Sequence, residues 1–166
     1  MGGDEQAFDD FVAARGRALV RTAYLLCGDR SRAEDLVQTA LAKAWVRWDR
    51  VGGMDNAEGY VRRVLFHDFL SWWRRDRREV AVAEVPETAG RGDHARAVSD
   101  RHDVTAALRR LPKGQRAVVV LRFYDDLTEA QAAAVLGCSV GTVKSQTSRA
   151  LARLRADEGL TAEGVR

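Results

Sequence analysis

TEAQAAAVLGCSVGTVKSQTSRALARLR, residues 128–155, decides how the rest of the chain reads. It has the pattern of two helices joined by a short turn. Thr128 is placed to cap the first, and Gln131, three residues on, completes a capping box. Gly137 suits the left-handed residue that ends that helix, and Ser139 can cap a second one. In the second helix Val140, Val143, Ala150, Leu151 and Leu154 form the apolar side. With successive residues about 100° apart, Thr142, Ser145, Gln146, Arg149 and Arg153 fall opposite them. Hydroxyls, an amide and guanidiniums are the groups that recognise base edges in a major groove. The stretch reads as a helix-turn-helix with its second helix equipped for DNA. An ordinary helical hairpin with a solvated polar face carries the same apolar pattern.

The 166 residues leave room for one domain or two small ones. Hydrophobic residues make up 46% and charged residues 31%, the balance of a soluble globular protein. No apolar run approaches the length of a membrane span. The opening MGGDEQAFDD also lacks a basic segment followed by an apolar one, so a cytoplasmic protein with no membrane attachment is expected. Cys27 and Cys138 lie far apart and outside any metal-type spacing. Reduced, partly buried thiols are the expectation, with no metal and no cofactor; a redox switch between the two is the alternative. The formal charge of +3 is spread unevenly. Residues 79–103 hold 3 Lys or Arg against 6 Asp or Glu, and both flanks are net basic. Two polyanion-binding units joined by an acidic connector fit that distribution. Only 3 of the 27 cations are Lys, so no Arg is functional merely for being Arg.

Upstream, residues 5–26 read as a helix with Phe8, Phe11, Val12, Leu19, Ala23 and Leu26 on one side, broken at Gly28-Asp29. Ser31 and Glu34 form a second capping-box pattern. Ala33, Leu36, Val37, Ala40, Leu41, Ala44, Trp45 and Trp48 then recur at helical spacing over four turns, leaving Asp35, Gln38, Thr39 and Lys43 outside. Two glycines and Asp55-Asn56 mark 49–58 as a loop. A long helix comes next, from about Gly59 to Arg78, with Val61, Val64, Leu65, Phe69 and Trp72 inward. Phe66 and Leu70 fall beside the core. On the opposite side Arg63, His67, Ser71 and Arg74 line up near Tyr60, and the helix ends in RRDRR. Cations among aromatics suit phosphate contact and base stacking on a single strand; a solvated basic face is the plainer reading. Asp68 points toward the core, so either it pairs with an Arg of a neighbouring helix or the phase is off by one.

Residues 79–103 read as a linker with a helical turn near its end, where His94 and His102 are solvated. Val104 to Leu111 forms a helix stopped by Pro112. Residues 113–124 begin another, with Val118, Leu121 and Phe123 or Tyr124 inward. The expected fold is all-α: two small helical domains, 1–78 and 104–157, joined by a flexible acidic linker and ending in a frayed tail, 158–166.

With these residues in hand, the chain resembles a sigma factor of the extracytoplasmic-function (ECF) type in the sigma-70 family, near its SigE subgroup. Leu111-Pro112, Gln115-Arg116, Leu121-Arg122, Leu127-Thr128, Gly141 to Ser145 and Ser148 to Ala150 resemble sigma region 4. AEDLVQ at 33–38 with Ala44-Trp45 resembles region 2, and YVRRVLFHDFLSWWRR at 60–75 resembles its promoter-melting helix.

The resemblance implies a subunit that binds core RNA polymerase and promoter DNA, with an anti-sigma factor as a possible further partner. It implies polymerase docking through Asp35, Gln38 and Thr39. It implies −10 contacts from Arg63, His67, Ser71, Arg74 and Arg75, with a flipped base held by the loop at Met54, Asp55 and Asn56. It implies −35 contacts from Thr142, Lys144, Ser145, Gln146 and Arg149, with Arg116 and Arg122 nearer phosphates. The family commonly has an acidic residue at position 39, Asn at 67, Asp at 71 and a branched apolar residue at 147. Thr39, His67, Ser71 and Thr147 depart from that pattern. Two rivals remain at this level. A plain helix-turn-helix regulator leaves the basic 59–78 helix unexplained. An enzyme on nucleic acid needs a catalytic cluster, and His67 beside Asp68 is the one candidate pair, about 100° apart on its helix.

Overall fold

Helix α1 (Gly2–Cys27) ends where Gly28 takes φ +68°, a left-handed conformation that costs glycine little. The computed structural model describes residues 2–80 and 99–157, with side chains for 2–71 and 104–157. Most of the expected linker with His94, the tail 158–166, and the side chains of Trp72, Arg74, Arg75 and His102 lie outside the described residues.

Asp29, in extended conformation, caps α2 (Arg30–Val46), its carboxylate accepting from the Arg32 N–H at 2.9 Å. The Ser31–Glu34 capping box is therefore displaced. Once the chain turns at Gly28, Asp29 is the first side chain that reaches the free N–H groups of the helix. Helix α2 also stops sooner than the apolar repeat suggests. Arg47 breaks it, and α3 (Trp48–Val51) swings Trp48 back into the core, edge-on to Phe8 at 5.0 Å. Trp45 is left exposed against the same Phe8 ring.

Helix α4 (Ala57–Val80) begins two residues early because Asn56 caps it, its Oδ1 accepting from the Gly59 N–H at 2.7 Å. Phe66 is not beside the core but in it, at 0% exposure. Helix α4 packs on α1 and α2 on one side and on α6 and α7 on the other, so its apolar arc is wider than a single stripe. Asp68 meets Lys43 of α2 at 2.6 Å. The partner from a neighbouring helix is thus a lysine rather than an arginine.

Helix α5 (Ser99–Arg110) starts inside the stretch read as linker. Helix α6 (Lys113–Val119) continues into a π-helical turn, Val120–Tyr124, closed by the Asp125 N–H donating to the Val120 carbonyl at 2.9 Å. The wider turn rotates its last residues away from the core, and neither Phe123 nor Tyr124 points inward: they are 58% and 47% exposed. Helices α7 (Glu129–Leu136) and α8 (Val140–Ala156) complete the chain. On α8, Val143 and Ala150 are buried, whereas Val140, in the first turn, stands exposed. One continuous apolar core runs through both halves, from Leu19, Leu36 and Phe66 to Val118, Leu121 and Val143. Among the described residues the regular structure is entirely helical, and no helix is long and apolar enough to cross a membrane.

Candidate nucleic-acid interface

The turn between α7 and α8 is built as its residue types dictate. Thr128 Oγ1 accepts from the Gln131 N–H at 3.1 Å, while Gln131 Oε1 accepts from the Thr128 N–H at 2.9 Å. Gly137 ends α7 at φ +67°, and the Ser139 hydroxyl then accepts from the Thr142 N–H at 3.1 Å. With both ends pinned, α8 presents Thr142, Lys144, Ser145 and Arg149 to solvent. Lys144 lies 3.8 Å from Glu129, an open ion pair that leaves it available to a phosphate. Two candidates are partly engaged within the helix: Thr142 Oγ1 pairs with Ser139 Oγ at 2.9 Å, and the Ser145 hydroxyl donates to the Thr142 carbonyl at 3.1 Å. Gln146 is half-buried near Gly114 of α6. Thr147, where the family carries an apolar residue, turns its hydroxyl onto the Val143 carbonyl at 2.7 Å and so remains compatible with a half-buried position.

Arg116 and Arg122 sit elsewhere than expected. Arg116 is 5% exposed, and its guanidinium donates to the carbonyls of Leu26, Arg109 and Leu111. In this arrangement it cannot meet a phosphate. Arg122 is half-buried and donates to the Leu127 carbonyl, which ties the π-helical turn to the start of α7.

On α4, Arg63, His67 and Ser71 are all exposed along one side. Arg63 and His67 line a groove together with Tyr60, Val64 and Asp68 of the same helix, Lys43 and Val46 of α2, and Arg47 just after it. The α2 contribution is invisible at the sequence level, because only the fold brings that helix's C-terminal turn beside α4. Met54, Asp55 and Asn56 are exposed at the N-terminal end of α4, and Asn56 serves as its cap. On α2, Asp35 and Gln38 are exposed; Thr39 is half-buried, its hydroxyl donating to the Asp35 carbonyl at 2.8 Å. Cys27 is half-buried, and burial pushes its thiol up to about 11. That leaves it neutral and a poor nucleophile near neutral pH. No cluster among the described residues has the donors for a metal ion.

Two family models match this chain: Sigma-70 region 2 over residues 11–79 and Sigma-70, region 4 over residues 101–154. The RNA polymerase sigma-E factor of Streptomyces coelicolor is 40% identical over 154 residues, covering 92% of this chain and 86% of that protein. Among solved structures, the sigma factor RpoE of Bartonella quintana, in complex with the anti-sigma factor NepR, has 31% identity and a TM-score of 0.76. That match covers 90% of this chain and 94% of the other. CnrH, in complex with the cytosolic domain of CnrY, has 26% identity and a TM-score of 0.66, covering 93% and 89%. Two region matches in order, on the helices that carry the exposed basic and polar faces, leave one assignment: the chain belongs to the ECF sigma factors of the sigma-70 family.

Proposed function

We propose a division of labour within this RNA polymerase sigma factor. Residues 1–78 dock on core polymerase through Asp35, Gln38 and Thr39. The same unit holds the opened −10 strand with Arg63, His67, Ser71, Arg74, Arg75 and the loop at Met54, Asp55 and Asn56. Residues 104–157 place α8 in the −35 major groove, where Thr142, Lys144, Ser145, Gln146 and Arg149 face the bases and backbone. Residues 79–103 connect the two. Arg116 and Arg122 support the fold instead of touching DNA.

The observation that carries this reading is the exposed polar stripe of α8, fixed by a capped helix on each side of a left-handed Gly137. The protein performs no covalent chemistry and works in the cytoplasm beside polymerase. Stacking an unpaired base contributes about 1–3 kcal/mol, enough to offset the opening of one or two base steps. Among the described residues, Tyr60 is the one large aromatic lining the groove beside Arg63 and His67, so strong promoters are favoured over poor ones. An anti-sigma protein is a further partner class, supported by the likeness to a sigma factor solved in complex with one.

The test is association with purified core polymerase, and then promoter selection with variants. Arg149→Ala is expected to cost about 1–3 kcal/mol at the −35 element and to relax discrimination there. Equal loss on unrelated sequences would mark Arg149 as a phosphate contact. A plain helix-turn-helix regulator, which the family match disfavours, forms no tight complex with core.

A further inference from the structure

The groove between the end of α2 and the flank of α4 has a volume of about 690 Å³. That lies inside the roughly 300–1,000 Å³ of small-ligand sites, space on the scale of one unpaired nucleotide. Lys43, Arg47 and Arg63 bring cations to it, His67 stands beside them, and Tyr60 is half-buried in its wall. The guanidiniums of Arg47 and Arg63 have no ion-pair partner among the described residues. Lysine and arginine only donate hydrogen bonds. Asp68 is the one carboxylate lining this groove.

Asp68 is satisfied on one oxygen alone. Its Oδ1 accepts from Lys43 Nζ at 2.6 Å, while Oδ2 is buried without a hydrogen-bond donor. A buried acceptor left unpaired carries its full desolvation cost, which a donor arriving in the groove removes. Stability does not account for the ion pair either. The Lys43 side chain is 54% exposed, and a pair open to water on one side contributes little. Lysine is a compact charge on a flexible stem, so Lys43 can exchange Asp68 for a phosphate oxygen without disturbing α2.

The geometry points to Asp68 as a specificity-determining residue: its carboxylate accepts from the exocyclic amine of one unpaired −10 base, while Lys43 and Arg47 hold neighbouring phosphates. The inference rests on the assignment of α4 to the opened −10 strand. Adenine, cytosine and guanine each carry an amino group, and thymine carries none. A carboxylate set against a thymine carbonyl places two acceptors face to face, so thymine is the base that this groove rejects. One lysine serves Asp68 in the free chain and a phosphate in the complex. Docking of the backbone thereby frees the carboxylate that reads the base.

Competition binding tests it, using the full chain with core polymerase and promoter forks whose −10 non-template strand is single-stranded. All four bases are placed in turn at each −10 position. At one position the wild type is expected to bind thymine about tenfold more weakly than the other three bases. Asp68→Asn, which adds a donor beside the acceptor, is expected to shrink that gap to about twofold and leave the other positions unchanged. Lys43→Gln, at an exposed position, keeps the carboxylate. There the thymine gap is expected to persist while every sequence binds more weakly and the salt slope falls by roughly 0.7. Base preferences untouched by Asp68→Asn, or an equal loss on all sequences, overturn the proposal. So does disappearance of the thymine gap, or an unaltered salt slope, in Lys43→Gln. A wild type that binds the −35 duplex but shows no preference at any −10 position overturns the assignment of α4 itself.

Discussion

Asp125 sits where α1, α4 and the π-helical turn converge, and its surroundings set how it titrates. Burial raises its carboxyl above the usual carboxylate range; the Thr22 hydroxyl and the Arg62 guanidinium oppose that shift, and Glu58 adds to it. A raised value in the folded chain means the folded state holds the proton more tightly than the unfolded one. The stability this group contributes is therefore present at low pH and lost as pH rises through its folded value. Asp125→Asn, which can still accept from Thr22, is expected to flatten that part of the pH profile of the urea midpoint. Identical profiles for the two chains would contradict it. Cys27 offers a second check. With its thiol raised from 9.0 to about 11 by burial, alkylation at pH 8 should run about a hundredfold slower in the folded chain than in urea. Equal rates would show that the site is open. At this scale the sequence was least informative. Nothing local to Arg116 reveals that three carbonyls, one of them 90 residues away, claim its guanidinium. The Lys43 partner of Asp68 is likewise a product of helix packing.

Single elements were far more legible, because caps and turns are decided within a few residues. Thr128, Gln131, Gly137 and Ser139 each do what their types and spacing imply. Thr128→Ala is expected to cost about 1 kcal/mol by removing the cap. Gly137→Ala is expected to cost about 1–2 kcal/mol, because a Cβ is strained at positive φ even where space exists. Denaturant melts of the full chain measure both, and a change below a few tenths of a kcal/mol in either would contradict the turn geometry. Where element reading failed, a longer-range cause intervened. The π-helical turn directs Phe123 and Tyr124 outward, and no sequence periodicity announces an i→i+5 bond. Phe66 lies in the core because the second half covers α4, which a single-helix count cannot register. Asp29 takes the place of Ser31 as cap because Gly28 fixes the turn just before it.

For the whole molecule, an all-α chain with a DNA-reading module at its C-terminal end was legible from periodicity and charge, and the likeness of both halves to sigma regions supplied the rest. What periodicity could not convey is that the halves share one core. In that shared core α4 abuts the α7–α8 turn, whereas the proposed function sends α4 and α8 to promoter elements that lie a longer distance apart. Dyes on Ala14→Cys of α1 and Ala152→Cys of α8, both exposed positions, report that separation directly by energy transfer, with Cys138→Ser removing a competing thiol. One short distance is expected in the free chain, and a distance longer by tens of ångströms once core polymerase and a promoter carrying both elements are bound. The same short distance in a transcribing complex would contradict the assignment of α4 and α8 to separate promoter elements.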